Sequence, residues 1–174
     1  MEFDKNNWFV VTSGVAPIYK SASFNSDYLT EAVYGESCRI LKVKKSWFFV
    51  MCDDGYQGWT KDFYGFRSEV KKSPSYIIAY PEGKGFFNPQ FPFGAKVSKK
   101  RVGAIPIGGS LDLNKINIVL HNLLGIPYKW GGKTSLGFDC SGLVQSVLNV
   151  YGMRIPRDSK NQWRFLQPYK INLD

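Results

Sequence analysis

The chain has few of the residues that build disulfide frameworks and zinc sites. Its 174 residues include three cysteines, Cys38, Cys52 and Cys140, and one histidine, His121. The cysteines form no C-x-x-C pair, and an odd number at wide spacing argues against a disulfide framework. A single histidine argues against a structural zinc site. We therefore expect no cofactor and no metal, and we expect Cys38 and Cys52, which lie in apolar runs, to be small buried side chains.

Long apolar runs are also absent. No stretch approaches the roughly 20 apolar residues that a membrane helix needs. The N-terminus, MEFDKNNWFVVTSG, lacks the basic start and the apolar run of a signal peptide. The hydrophobic content of 44% is ordinary for globular domains. Without a membrane helix or a signal peptide, the sequence predicts a cytoplasmic protein without a membrane partner.

Acidic residues are fewer than basic ones, 14 against 23, and the net charge is +9. This charge predicts attraction to a polyanion, which could be nucleic acid, a membrane surface or the anionic polymers of a cell wall. The densest basic run, AKVSKKRVG at residues 95–103, has no interleaved aromatic residues and matches no nucleic-acid-binding motif. We therefore expect no specific nucleic-acid partner, since binding by charge alone is not selective for sequence.

The first 70 residues carry the pattern of a small all-β domain. Short β-branched and aromatic runs alternate with turn residues, namely WFVVTSG, APIYK, SCRILKV, SWFFVMC and GYQGWTK. The DDG sequence at residues 53–55 predicts a tight hairpin in which Gly55 takes a positive φ angle. From about Val10 to Phe66 the order of these elements resembles the bacterial Src-homology-three-like barrel of cell-wall enzymes. Residues 1–70 are therefore assigned to such a barrel, and residues 71–112 to a linker with some β structure or a second barrel-like half.

The hydrophobic period becomes helical after residue 112. Apolar residues at helical spacing predict a helix over 114–124 and a second one over 140–151, which begins at Cys140 and ends at Gly152. A third, shorter helix is predicted over 159–165, between Pro156 and Pro168. Strands followed by helices predict an α+β fold.

One passage, GIPYKWGGKTSLGFDCSGLVQSVLNVYGMRIPRDSKNQ, carries a specific signature. It resembles the NlpC family of peptidoglycan cysteine peptidases, whose motif reads P-Y-x-W-G-G, then G-F-D-C-S-G-L-V, then a helix and G-x-x-x-P-R-x-x-x-x-Q. Residues 113–174 are accordingly similar to the N-terminal helical half of an NlpC-type, papain-like α+β peptidase domain. The resemblance implies a cysteine endopeptidase with Cys140 as its nucleophile.

The residue chemistry agrees with this role for Cys140. A cysteine attacks as its thiolate, and the N-terminus of a helix favours that anion. Glycines on both sides of the cysteine, Gly131, Gly132, Gly137 and Gly142, allow close approach of backbone to the thiol. Backbone N–H groups there could hold the oxyanion of a tetrahedral intermediate.

The resemblance also implies the substrate. Family members cleave after γ-D-glutamate in stem peptides, so it implies hydrolysis of the γ-D-glutamyl-diamino acid bond of muropeptides with a free amine. Asp139 and Ser141 correspond to residues that help to bind this amine, and Tyr128 corresponds to a tyrosine near the nucleophile.

Two further positions remain open between a structural and a functional role. Arg157 matches the arginine of the P-R motif, where a structural salt bridge and a contact to a substrate carboxylate are both consistent with the sequence. In two-domain relatives an aromatic residue of the barrel closes one side of the cleft. Tyr56 is the candidate for that residue, with a plain surface tyrosine as the alternative.

The chain departs from the family in its catalytic base. The family supplies a histidine from a strand some fifty residues after the cysteine, whereas only 22 residues follow Gly152 here and none is a histidine. His121 matches no family base and is expected to be a surface or partly buried helix residue. We therefore expect the apolar face of the helix at 140–151 to lack its partner, unless a missing C-terminal segment or a second chain completes the domain. The alternative to an enzyme is a non-catalytic relative that binds cell-wall fragments.

Overall fold

The structure is a computed structural model that describes residues 7–80, 88–108 and 113–169. Its strands, in chain order, are β1 (Trp8–Val11), β2 (Val15–Tyr19), β3 (Tyr28–Val33), β4 (Ser37–Lys44), β5 (Trp47–Met51), β6 (Gln57–Lys61), β7 (Gly65–Ser68), β8 (Tyr76–Ile78), β9 (Lys96–Val97), β10 (Ala104–Pro106), β11 (Lys133–Thr134) and β12 (Gly137–Phe138). Its α-helices are α1 (Leu113–Asn122), α2 (Cys140–Val150) and α3 (Ser159–Leu166). The fold class is α+β, as the sequence predicts.

The first seven strands form one antiparallel sheet in the order β3-β2-β6-β5-β4-β1-β7. Alternate residues of each strand point inward and form a closed apolar core, since successive side chains of a strand face opposite sides. The core residues include Phe9, Ile18, Cys38, Ile40 and Val50. Gly55 in the β5–β6 turn has a φ angle of +83°, which confirms the predicted hairpin.

Five of these strands coincide with the predicted runs, whereas β3 and β7 were not anticipated. β3 reads YLTEAV, and its two central polar residues, Thr30 and Glu31, are fully buried. Adjacent residues of a strand face opposite sides, so two neighbouring buried polar residues do not show the apolar alternation by which a strand is recognised. The omission matters because β3 faces the helical half of the protein.

A second, three-stranded sheet in the order β10-β8-β9 lies within residues 71–112. Several of its apolar side chains are buried. Ile77 and Ala79 join Phe93 in the same buried cluster as residues of α1 and α2. The domain boundaries at residues 70 and 112 stay a prediction.

The helix α2 packs on this cluster. Val147 and Val150 are buried, together with Tyr151 directly after the helix. The expectation that the apolar face of this helix lacks a partner is therefore wrong for its buried side, because residues from the second sheet and from α1 cover it. Val144 is 42% exposed on the same helix.

The barrel and the helical half share a polar junction around Glu31. This fully buried carboxylate accepts hydrogen bonds from the hydroxyl of Tyr28, the ammonium of Lys129 and the amide N–H of Lys133. A buried carboxylate is tolerated only when such donors replace its water shell. The loop before α2 is thus bound to the barrel through one side chain of β3.

No helix in the described ranges is long and apolar enough to cross a bilayer. Localisation in the cytoplasm stays a prediction.

Loss of packing on the buried side of α2 should destabilise the protein. We expect Val150→Ala to lower the free energy of unfolding by about 2 kcal/mol, because it removes two buried methyl groups and leaves a cavity. The matched control is Val144→Ala on the exposed side, with a change below about 0.5 kcal/mol. Urea unfolding followed by circular dichroism measures both, and equal effects of the two substitutions would contradict the packing described.

Candidate active site

Cys140 is the first residue of α2 and is exposed to solvent. The preceding residue, Asp139, has the extended backbone of a helix N-cap, with φ −91° and ψ 173°. Its Oδ1 accepts a 2.6 Å hydrogen bond from the N–H of Gly142. The predicted helix start is confirmed, and an N-cap carboxylate explains why the helix begins at this thiol.

Two glycines let the backbone before the helix pack against it. A Cβ atom on Gly142 would lie 2.1 Å from the carbonyl oxygen of Gly132, which is impossibly close. Gly131 has a φ angle of +72°, and a Cβ atom there would meet the ring of Tyr28 at 2.4 Å. These glycines therefore serve the close contact of two backbone segments and of the loop with the barrel.

Arg157 is buried and binds Asp139 with two nitrogens. Its Nη2 lies 2.6 Å from Oδ2 of Asp139, and its Nη1 lies 3.0 Å from Oδ1. Nη1 also donates to the hydroxyl of Ser141 at 2.8 Å, and Nε donates to the hydroxyl of Thr30 at 2.9 Å. The guanidinium thus joins the start of α2 to strand β3 of the barrel. Of the two roles that the sequence left open for Arg157, a structural salt bridge and a contact to a substrate carboxylate, the structure shows the salt bridge.

The charge of Asp139 is strongly stabilised. Burial alone raises the pKa of this carboxyl, but hydrogen bonds from Arg157, Gly142 and Gly131 outweigh burial and hold the pKa below its ordinary value. Asp139 is consequently ionised throughout the neutral range. Its two oxygens accept five hydrogen bonds from four groups of the protein, those of Arg157, Ser141, Gly142 and Gly131.

Gln162 of α3 fixes the loop that carries Arg157. Its Nε2 donates to the carbonyl oxygens of Ser141 at 2.9 Å and Pro156 at 2.8 Å. The side chain is buried, so these bonds replace its contact with water. The last position of the sequence motif therefore holds α3 and the Pro-Arg segment against the start of α2.

Tyr56 of the barrel reaches the same region. It is half-buried, and burial together with the negative charge of Asp158 raises the pKa of its hydroxyl. Asp158 directly follows Arg157 and is exposed. The influence of Asp158 on Tyr56 indicates that the turn of the β5–β6 hairpin lies near the segment that holds Asp139. The role of Tyr56 in closing one side of the cleft stays a prediction.

Two aromatic residues of the motif are exposed. Tyr128 is 68% exposed and Trp130 is 71% exposed. Trp130 donates its indole N–H to the carbonyl oxygen of Tyr28 at 3.1 Å, which ties it to the barrel. Tyr128 forms a bridge with Phe138, two residues before the thiol. Both rings thus border the loop that leads into α2.

His121 lies on α1 and is exposed. Its Nδ1 lies 2.8 Å from the carbonyl oxygen of Asn117, one turn earlier in the same helix. Among the hydrogen bonds of the described residues, none joins His121 to Cys140. This agrees with the prediction that it is a surface helix residue.

Sequence reasoning did not find Thr30 or Asp158. Thr30 lies in the unanticipated strand β3, 127 positions from its partner Arg157. Asp158 was visible in the P-R-D sequence directly after the motif arginine, and an exposed acid beside a motif residue was a signal that could have found it.

A separate cavity of about 360 Å³ lies between the barrel, α2 and the segment before α3. Its lining includes Asp53, Asp54, Lys96, Lys133 and Gln145, and Cys140 is not part of it. Lys96 pairs with Asp53, while Lys133 lies 3.3 Å from Asp54. Burial lowers the pKa of Lys133, but Asp54 and Glu36 outweigh burial and raise it. The charges around the cavity are therefore matched by one another.

Two known protein families match separate parts of the chain. The NlpC/P60 family matches residues 125–173, and the bacterial dipeptidyl-peptidase Sh3 domain matches residues 18–62. A Bacillus subtilis protein named gamma-D-glutamyl-L-lysine dipeptidyl-peptidase is 25% identical over 171 residues, covering 76% of this chain and 56% of the relative. A gamma-DL-glutamyl hydrolase of the same organism is 36% identical over 72 residues, covering 40% of this chain and 17% of the relative. The chain thus spans about half the length, or less, of these relatives.

Two solved structures share the fold. An NlpC/P60 family protein from Bacillus cereus has a TM-score of 0.75 at 16% identity, covering 91% of this chain and 76% of that one. An NlpC/P60 endopeptidase from Photobacterium damselae subsp. piscicida has a TM-score of 0.66 at 16% identity, covering 90% and 45%. At this identity the likeness concerns the fold alone.

Removal of the buried guanidinium should destabilise the protein more than removal of a surface one. We expect Arg157→Met to lower the free energy of unfolding by about 3 kcal/mol, because it leaves the carboxylate of Asp139 buried without its partner. Arg164→Met on the exposed side of α3 is the matched control, with a change within about 0.5 kcal/mol. Urea denaturation measures both, and a neutral Arg157→Met would show that the pair is dispensable.

The stabilisation from Asp139 should depend on pH. A carboxyl with a lowered pKa in the folded state contributes stability above its unfolded pKa and loses it as the pH falls through the folded pKa. We therefore expect the difference in unfolding free energy between the native protein and Asp139→Asn to be constant above about pH 5 and to shrink below about pH 4. Asp27→Asn, which removes only an exposed ion pair with Lys20, should give a difference near zero at every pH. A difference for Asp139→Asn that stays constant down to pH 3 would contradict this.

Proposed function

Since the chain carries an NlpC/P60 family segment behind a bacterial Sh3 domain, we propose that the protein is a peptidase of peptidoglycan stem peptides with Cys140 as its nucleophile. The observation that carries the proposal is the exposed thiol at the first residue of a helix, held in place by a buried Arg157–Asp139 pair. The relatives named as peptidases of γ-D-glutamyl bonds support it.

The backbone at the start of α2 suits acyl transfer. The first N–H groups of a helix have no partner within the helix. Here the N–H of Gly142 bonds to the side chain of Asp139 and that of Leu143 bonds to its carbonyl oxygen. No hydrogen bond within the described ranges uses the N–H groups of Cys140 and Ser141. We assign these two groups to the oxyanion that forms when the thiolate attacks a carbonyl carbon.

The reaction then proceeds in two steps. Attack by the sulfur of Cys140 gives a tetrahedral intermediate, the amine leaves with a proton, and an acyl-enzyme remains. Water hydrolyses this thioester and releases the acid. The bond proposed is the γ-D-glutamyl-diamino acid bond of muropeptides that carry a free amine.

The contacts of Asp139 change the role proposed for it. Its two oxygens are already bonded to protein donors, so it has little capacity left for an incoming ammonium. We therefore propose that Asp139 and Ser141 position the start of α2 and the Pro-Arg segment. The exposed carboxylate of Asp158, whose charge acts on Tyr56 of the barrel, is the group we assign to the free amine of the substrate.

The catalytic base is proposed to come from outside these 174 residues, from a C-terminal segment or a second chain. The one histidine of the sequence, His121, bonds within its own helix. A thiol nucleophile needs a base that takes its proton and passes it to the leaving amine. A non-catalytic role in binding cell-wall fragments is the alternative that this placement of His121 favours.

The test of the nucleophile uses the gene product including any sequence beyond residue 174. With L-Ala-γ-D-Glu linked to a diamino acid as substrate, we expect release of the diamino acid, and a loss of at least roughly a thousandfold in kcat/KM for Cys140→Ala. Cys52→Ala, which removes a buried thiol inside the barrel, should retain most of the activity. Substantial turnover by Cys140→Ala would refute the assignment.

Comparison of the 174-residue chain with the longer protein distinguishes the proposed peptidase from the non-catalytic binding protein. We expect the 174-residue chain to bind the same tripeptide in calorimetry but to turn it over at less than about a tenth of the longer protein's rate. The reason is that none of the hydrogen bonds within the described ranges joins the thiol of Cys140 to a base. Replacement of the N-terminal amine by an acetyl group should weaken binding. Binding unaffected by acetylation would contradict the assignment of Asp158, without bearing on Cys140.

A further inference from the structure

Two thiols that the proposed reaction does not use face each other inside the barrel. Cys38 lies on β4 and Cys52 directly follows β5. The pairing of Arg39 with Met51 continues by one step to place Cys38 opposite Cys52 on the inward face. Their sulfur atoms are 3.9 Å apart, and both residues are buried. Directly opposed residues of antiparallel strands have Cα separations within the range that a disulfide spans.

A metal ion does not fit this pair well. Glu36 is the third possible ligand of the group. One of its carboxylate oxygens accepts the N–H of Val33 at 3.0 Å, and the other accepts the N–H of Asp53 at 2.9 Å. The ammonium of Lys133 lies 4.0 Å from the same carboxylate. Both oxygens of Glu36 already accept hydrogen bonds, and Lys133 balances its charge. Glu36 is therefore a poor metal ligand, and the chemistry open to the two sulfurs is reaction with each other.

Burial inside the barrel favours the thiol form of both sulfurs. The hydrogen bond to Cys52 and burial raise the pKa of the Cys38 thiol. The hydrogen bond from Cys38 lowers the pKa of Cys52, but burial and nearby carboxylates outweigh it, so that this pKa is raised as well. Reaction therefore needs a transient opening of the turn after β5, where Asp54 and Gly55 are exposed.

We propose that Cys38 and Cys52 are a disulfide site, oxidised by exchange with a small disulfide such as oxidised glutathione. The thiolate of one cysteine attacks a sulfur of the small disulfide, forms a mixed disulfide and releases one small thiolate. The second cysteine then attacks the protein sulfur of the mixed disulfide and releases the other small thiol. One protein disulfide and two small thiols are formed, and the two thiol protons end on the released thiols or in solvent.

The bond would stiffen the turn that reaches the candidate site. The N–H of Cys52 donates to the carbonyl oxygen of Tyr56 at 2.8 Å, and its carbonyl oxygen accepts the N–H of Gly55 at 2.9 Å. Cys52 is thus the closing residue of the turn that carries Tyr56. A covalent link to β4 would tie that turn to the centre of the barrel sheet, whether or not the proposed peptidase activity is correct.

The experiment refolds the chain from urea in a buffer of oxidised and reduced glutathione, so that access to the thiols is not limiting. Free thiols are then blocked with N-ethylmaleimide, and the protein is digested with trypsin without reduction. We expect mass spectrometry to find residues 21–39 joined to residues 46–61 in most molecules, with Cys140 recovered separately. We also expect the melting temperature of the oxidised chain to exceed that of the dithiothreitol-treated chain by about 5 °C or more.

The matched variant is Cys38→Ala, which keeps Cys52 and Cys140. It should give no joined peptide and no rise in melting temperature on oxidation. If this variant does not fold, the comparison of oxidised and reduced native chain decides alone. Recovery of Cys38 and Cys52 as two N-ethylmaleimide adducts, or as two separate glutathione adducts, would overturn the proposal.

Discussion

The buried pair of Arg157 and Asp139 is the interaction on which the candidate site depends. All three nitrogens of the guanidinium donate hydrogen bonds. The acceptors are Asp139 at the start of α2 and Thr30 on strand β3. A buried ion pair adds little net stability compared with apolar packing, because both ions lose their water. What it supplies here is position, since a planar, bidentate fork fixes the direction of its partner. Because Cys140 directly follows Asp139, the same contacts also fix the position of its thiol.

The sequence allowed much of this arrangement to be predicted, because its signals are local. The three helices follow from apolar periods that end at glycine or proline, and the hairpin at Gly55 follows from a turn sequence. Cys140 could be placed at a helix start because the motif and the helical period coincide there. These predictions needed only residues within one or two turns of each other.

The parts that escaped prediction depend on distant partners. Strand β3 buries Thr30 and Glu31, whose polar side chains are satisfied by Arg157, Lys129 and the backbone of the loop before α2. Without those partners the same residues indicate an exposed segment. Residues 71–112 were assigned to a linker with some β structure or a second barrel-like half. The burial of short apolar pieces such as Ile77 and Ala79 was not predicted, because they become core only when α1 and α2 cover them.

The fully buried carboxylate of Glu31 has a consequence for how such proteins can be rearranged. Small barrels are often treated as interchangeable modules that recombination moves between catalytic domains. This one carries a buried carboxylate on β3 that accepts hydrogen bonds from Tyr28 of the barrel and from Lys129 and the N–H of Lys133, which belong to the other half of the molecule. A barrel separated from that half would leave the carboxylate without two of its three donors, and a foreign barrel would leave Lys129 without its acceptor. The two halves are therefore expected to be inherited and to change together.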